Sequence, residues 1–123
     1  MSTPLAIVIE DESALRVIYD RILGSIGYEV LMAPDGEVAV ELVTQYTPAL
    51  IFLDMLLPKI NGLDVLHHIR SQPHLADTYV VVVSSAKEYQ RSVEEYGYTE
   101  FMQKPVLPTD IREIATRVME ATA

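Results

Sequence analysis

Five short apolar runs punctuate the chain, and segments with a helical repeat separate them. Leu5 to Ile9, Glu29 to Ala33, Ala49 to Leu53, Tyr79 to Val83 and Glu100 to Gln103 read as strands. They lack the apolar–polar alternation of a strand with one wet face, which fits a parallel sheet covered on both sides. The first helix follows Ser13, with Leu15, Ile18, Ile22 and Ile26 on one face, and Gly24 and Gly27 help to end it. Pro34-Asp35-Gly36 is a turn opening a second helix whose Val38, Ala39, Leu42 and Val43 point inward. Thr47-Pro48 stops that helix, because proline disfavours helical geometry in the residue before it. A loop from Pro58 to Gly62 leads into a third helix with Leu63, Leu66 and either Ile69 or Arg70. A fourth helical segment runs from about Lys87 to Tyr96. The last helix starts near Thr109, read as its N-cap, with Ile111, Ile114, Ala115 and Val118 at helical spacing.

This order is (βα)₅. It predicts an α/β fold, a doubly wound five-stranded parallel sheet of strand order 2-1-3-4-5. Such a sheet has its switch point between strands one and three, and ligands bind beyond the carboxyl ends of the strands there. Those two strands run into Glu10-Asp11 and into Asp54. Strand four runs into Ser84 and strand five into Lys104-Pro105. Residues distant in sequence are thereby expected to meet on one rim.

Length and composition narrow the picture. At 123 residues the chain is expected to be a single domain spanning 1–123, with no linker and no output domain. The formal net charge of -9 argues against non-specific nucleic-acid binding, which rests on neutralising phosphates. With no cysteine there is no disulfide or thiolate chemistry. Met1-Ser2-Thr3-Pro4 does not begin a signal peptide, and no apolar run approaches the roughly 18 residues of a membrane span. The expectation is a soluble cytoplasmic protein without direct DNA or membrane contact.

Three carboxylates, a hydroxyl and an ammonium point to a divalent cation beside a phosphoryl group. Crowded carboxylates repel one another, and a hard cation relieves that repulsion. Mg²⁺ takes oxygen ligands and needs only one or two carboxylates, so Asp11 and Asp54 are the direct candidates, with Glu10 acting through water. Asp54 can serve as a nucleophile forming an acyl phosphate. Lys104 would hold one phosphoryl oxygen as a point charge and Ser84 another by a hydrogen bond. Taken singly, each residue has a plainer reading. Glu10-Asp11 could be charges at a helix start, Asp54 a turn residue, Ser84-Ser85 a helix cap and Lys104-Pro105 a solvated turn. Their occurrence in order at four strand ends favours a site.

The residues Glu10-Asp11, Asp54 with Pro58 and Asn61-Gly62, Ser84, and Lys104-Pro105 together resemble the receiver domain of bacterial two-component response regulators. The resemblance covers essentially the whole chain. It implies a flavodoxin-like fold and Mg²⁺-dependent phosphorylation of Asp54. The donor would be a sensor histidine kinase or a histidine phosphotransfer protein. It further implies that the backbone carbonyl of Leu56 completes the metal site. Ser84 and Lys104 would stabilise the phosphoryl group, Ser84 and Phe101 would form the switch, and Lys104-Pro105 would be a cis peptide. Ser85 is the fallback for Ser84 if strand four is one residue longer. The stretch from Ser84 to Lys104 is about two residues shorter than usual in the family. The expected output is a change in the face made by segment 87–96, strand five and the last helix, read by a downstream protein or a second copy of the chain. The chain would assist only its own phosphorylation and dephosphorylation and is not expected to be an enzyme.

Other functional classes fit less well. An aspartate-nucleophile phosphatase of the haloacid dehalogenase type wants an acid two residues after the nucleophile, where Leu56 stands. A flavin-binding module wants a phosphate loop after strand one, where Glu10-Asp11-Glu12 would repel phosphate. A degenerate receiver acting as a phosphorylation-independent interaction module is the remaining alternative. His67, His68 and His74 show no metal-ligand arrangement and read as surface or boundary residues.

Overall fold

The computed structural model describes residues 3–85 and 97–122. The helical segment read over Lys87 to Tyr96 lies outside the described residues. The elements are β1 (Leu5–Ile9), α1 (Ser13–Ile26), β2 (Glu29–Ala33), α2 (Gly36–Gln45), β3 (Leu50–Asp54), α3 (Gly62–Ser71), β4 (Tyr79–Ser84), β5 (Glu100–Gln103) and α4 (Pro108–Thr122). A single 3₁₀ turn, Pro73–Leu75, precedes β4. The strands form one five-stranded parallel sheet of order β2-β1-β3-β4-β5, the flavodoxin-like order with its switch point between β1 and β3.

Strand alternation gives the sheet two dry faces. Ile7, Ile9, Ile51, Leu53, Val80 and Val82 pack towards α2 and α3. Ala6, Val8, Leu50, Phe52, Val81 and Val83 pack towards α1 and α4. The alternating residues are apolar on both faces, so the strand sequences carry no polar period.

The helices follow the apolar repeat with two corrections. In α1 the buried face is Tyr19, Ile22 and Leu23, while Ile18 is 39% exposed. A stripe drawn through Leu15 and Ile18 is rotated from the true one, because the Tyr19 ring packs on Phe52 with centroids 5.0 Å apart. Helix α4 starts at Pro108, so Thr109 lies within the first turn and is not the N-cap. Proline fits a first helical position, where its missing N–H is no loss. Asp110 supplies the cap from inside the helix, its carboxylate accepting the Leu107 N–H at 3.0 Å. Helix α2 is capped as the turn predicts, with Asp35 accepting the Val38 N–H at 2.9 Å.

Candidate functional site

Among the described residues four polar side chains are buried, and Glu10, Asp54 and Ser84 of these stand at the carboxyl rim of the sheet. Buried ionisable groups are costly without partners, so their clustering marks the rim as a site. Alternation explains who faces whom. Glu10 continues the parity of Ala6 and Val8, and Asp54 that of Leu50 and Phe52, which places both on the α1/α4 face. Lys104 shares parity with Met102, which packs on that same face. Ser84 continues the parity of Val82, and Phe101 packs with the α2/α3 face.

The three acids come together. Glu10, Asp11 and Asp54 each offer a carboxylate oxygen within 4.8 Å of the others. Asp54 is held on both oxygens: Lys104 Nζ donates to Oδ2 at 2.7 Å, and the Leu56 N–H donates to Oδ1 at 3.0 Å. Beyond Asp54 the chain stays on the sheet, where the Met55 N–H donates to the Val83 carbonyl at 3.0 Å. Gly62 then passes so close that a Cβ there would sit 2.5 Å from Met55 Cα, and its N–H donates to the Met55 carbonyl at 3.1 Å. Only glycine permits that approach. The loop after Asp54 is therefore pinned at both ends.

Electrostatics follow from burial. Desolvation, with the Asp54 charge adding to it, raises the Glu10 carboxyl to about 7, against the opposing Glu12 N–H and Lys104. Burial works to lower the Lys104 ammonium, but its hydrogen bond to Asp54 and the charges of Asp54, Glu10 and Glu12 outweigh this and hold it above its ordinary value. The Tyr19 phenol is pushed up first by burial and then by the Glu10 and Asp54 charges. The oxygen-only donor set, with one carboxyl driven towards its protonated form by burial and then by the Asp54 charge, fits a hard divalent cation.

Strand β4 extends one residue beyond Val83, to Ser84. Ser84 is nonetheless the rim hydroxyl, 1% exposed and paired in register with Gln103, whereas Ser85 is exposed. The Ser84 carbonyl accepts the Lys104 N–H at 2.9 Å. The Lys104–Pro105 peptide is cis. Phe101 is half-buried, with the Tyr98 ring edge-on at 6.1 Å.

Sequence reasoning passed over two features. A cavity of about 390 Å³ opens beside Glu10 and Lys104, walled by Leu15, Tyr19, Val106 and Ile111. Tyr19 signals it in the sequence, as an aromatic eight residues after the acidic pair on the stripe that becomes the buried face. Arg16 is the second feature, and its guanidinium Nη1 donates to the Glu10 carbonyl at 2.8 Å.

The fold is an open α/β sheet with an acidic cleft at its switch point and a lysine seated on the central aspartate. Comparison narrows the class. The model of the response regulator receiver domain matches residues 6–116, and the chain belongs to that family. It is 29% identical over 123 residues to a probable transcriptional regulator, ycf27, of Porphyridium aerugineum, covering 95% of this chain and 50% of that protein. It is 34% identical over 113 residues to the Regulator of RpoS of Escherichia coli K12, covering 86% of this chain and 33% of that one. The chain thus spans about half the length, or less, of these curated relatives. Among solved structures, the receiver domain of the sensor histidine kinase PA1611 of Pseudomonas aeruginosa, which holds a magnesium ion in its active-site cleft, superposes with a TM-score of 0.85 at 20% identity, covering 97% of this chain and 99% of that one. The beryllofluoride-activated DrrB receiver domain gives a TM-score of 0.83 at 20% identity, with coverage of 97% and 99%. Membership in the family implies a histidine kinase or phosphotransfer protein as partner. Among the described residues no helix is long and apolar enough to cross a membrane.

Proposed function

We propose that Asp54 is a phosphoacceptor and that residues 1–123 work as a phosphorylation-controlled receiver for a protein partner. The observation that carries this is the Lys104 ammonium on Asp54 Oδ2 at 2.7 Å, with the Glu10 and Asp11 carboxylates beside it. In the reaction an Asp54 oxygen attacks the phosphorus of a phosphohistidine, the P–N bond breaks, and the imidazole leaves with its electron pair. Lys104 and the Leu56 N–H fix the carboxylate before attack, so little orientation is lost in the transition state. Lys104 then pairs with a phosphoryl oxygen and Ser84 hydrogen-bonds to another.

Glu10, Asp11 and Asp54 would hold Mg²⁺, with the Leu56 carbonyl as the backbone ligand. Bound there, Mg²⁺ would neutralise negative charge on the transferring phosphoryl oxygens. The magnesium-bound PA1611 receiver supports the choice of ion. Phosphorylation draws on Ser84, and space opened at the end of β4 lets the Phe101 ring turn inward. The surface around β5 and α4 then changes for a downstream protein.

Incubating the protein with a small-molecule phosphodonor and Mg²⁺, then measuring intact mass, tests the reading. A gain of one PO₃ unit on the wild type, absent from Asp54→Asn and absent with chelator, is expected. Continuous phosphate release instead would mark a phosphatase. No modification under any condition would favour a phosphorylation-independent interaction module.

A further inference from the structure

Resting on the reading that Glu10, Asp11 and Asp54 hold Mg²⁺, we infer that Arg16 is a positioning residue for that metal site. Arg16 stands in the first turn of α1, half-buried, its backbone N–H on the Glu12 carbonyl at 3.1 Å. Its Nη1 reaches back six residues to the Glu10 carbonyl at 2.8 Å, a short charge-assisted bond.

That bond completes a three-point hold on Glu10. The Glu10 N–H donates to the Ala33 carbonyl at 3.0 Å, which extends the sheet beyond Ile9. The Glu10 carboxylate accepts the Glu12 N–H at 3.1 Å. Arg16 fixes the remaining backbone group, the carbonyl. A peptide unit is planar, so holding its oxygen also fixes the nitrogen and Cα of the next residue. That next residue is Asp11, which is exposed. The guanidinium therefore sets where the Asp11 side chain begins, and with it the spacing of Asp11 from Glu10 and Asp54.

Arg16 forms no ion pair among the described residues, and a cation near the cleft opposes a second cation. Electrostatics and positioning thus predict opposite signs. If Arg16 acts only as a nearby charge, removing it tightens Mg²⁺ binding. If it positions the loop, removing it weakens binding, in the way lost outer partners of metal ligands do.

The test is calorimetric titration of the full chain with MgCl₂ at fixed ionic strength, alongside thermal unfolding in chelator. The variants are Arg16→Met, which keeps an apolar stem, and Arg16→Lys, which keeps the charge on a single short-reaching donor. We expect Arg16→Met to bind Mg²⁺ about tenfold more weakly than wild type, at the low end for such partners. Arg16→Lys should fall between the two, with unfolding in chelator unchanged for both. If Arg16→Met is too unstable to measure, weaker binding by a stable Arg16→Lys supports the inference and equal binding overturns it. Arg16→Met binding as tightly as wild type, or more tightly, also overturns it. Wild type that takes no Mg²⁺ defeats the metal reading itself and this inference with it.

Discussion

The two faces of one sheet reach the same rim and end in different chemistry. The α1/α4 face ends in Glu10, Asp54 and Lys104, a charged cluster over the dry layer of Val8, Phe52 and Val83. The α2/α3 face ends in Ser84 and Phe101, a hydroxyl and a half-buried ring over Leu53 and Val82. The groups proposed to hold a phosphoryl unit lie mostly on the first face, and the pair proposed as the switch lies on the second. A single step of register separates the two faces here, since the β3–β4 ladder pairs Asp54 with Val83, the neighbour of Ser84.

The largest effect should come from undercutting the charged face. Phe52→Ala removes a ring that is 1% exposed and supports Tyr19, so it should destabilise folding by about 3–5 kcal/mol in denaturant titration. Next comes the charge itself. Glu10→Gln in metal-free protein at pH 8 should stabilise the fold by on the order of 2 kcal/mol, because an ionised buried carboxylate is replaced by a neutral amide. The folded carboxyl sits near 7, above its unfolded value. The wild type therefore takes up a proton on folding and gains stability as pH falls through 7 towards the ordinary carboxylate range. The advantage of Glu10→Gln should shrink over that window, and a constant gap from pH 8 to pH 5 would contradict this.

The other face should respond more mildly. Phe101→Ala removes a half-buried ring at the rim, so it should lower stability by about 1–2 kcal/mol and leave phosphorylation of Asp54 intact. Phosphorylation-dependent partner binding should be lost; if it persists, the assignment of readout to this face is wrong. The smallest effect concerns phosphate lifetime. Leu56 is 56% exposed and offers no polar atom to orient water, so Leu56→Asn should shorten the lifetime of phosphorylated Asp54 severalfold, on the order of 1 kcal/mol of barrier. Equal decay rates would remove Leu56 as a determinant.

The described strands and helices and the chain positions of the rim residues were legible because both depend on local rules. Unbroken apolar runs specify buried strands, and the parallel connection places every strand's carboxyl end on one side. Gly27, with φ of 121°, and the Asp35 cap likewise mark their helix boundaries within a few residues.

Other features depended on packing. Which stripe of α1 is buried was decided when the Tyr19 ring met Phe52 across 33 residues of sequence, a contact that turned Ile18 outward. The Lys104 bond to Asp54 and the height of the Glu10 carboxyl likewise needed distances that no spacing rule supplies. Local sequence determined the strands, their ends and the residue types delivered there. Only the tertiary structure decided which of those residues touch, how deeply they are buried and so which carry charge, because solvation and Coulomb forces act through space and not along the chain.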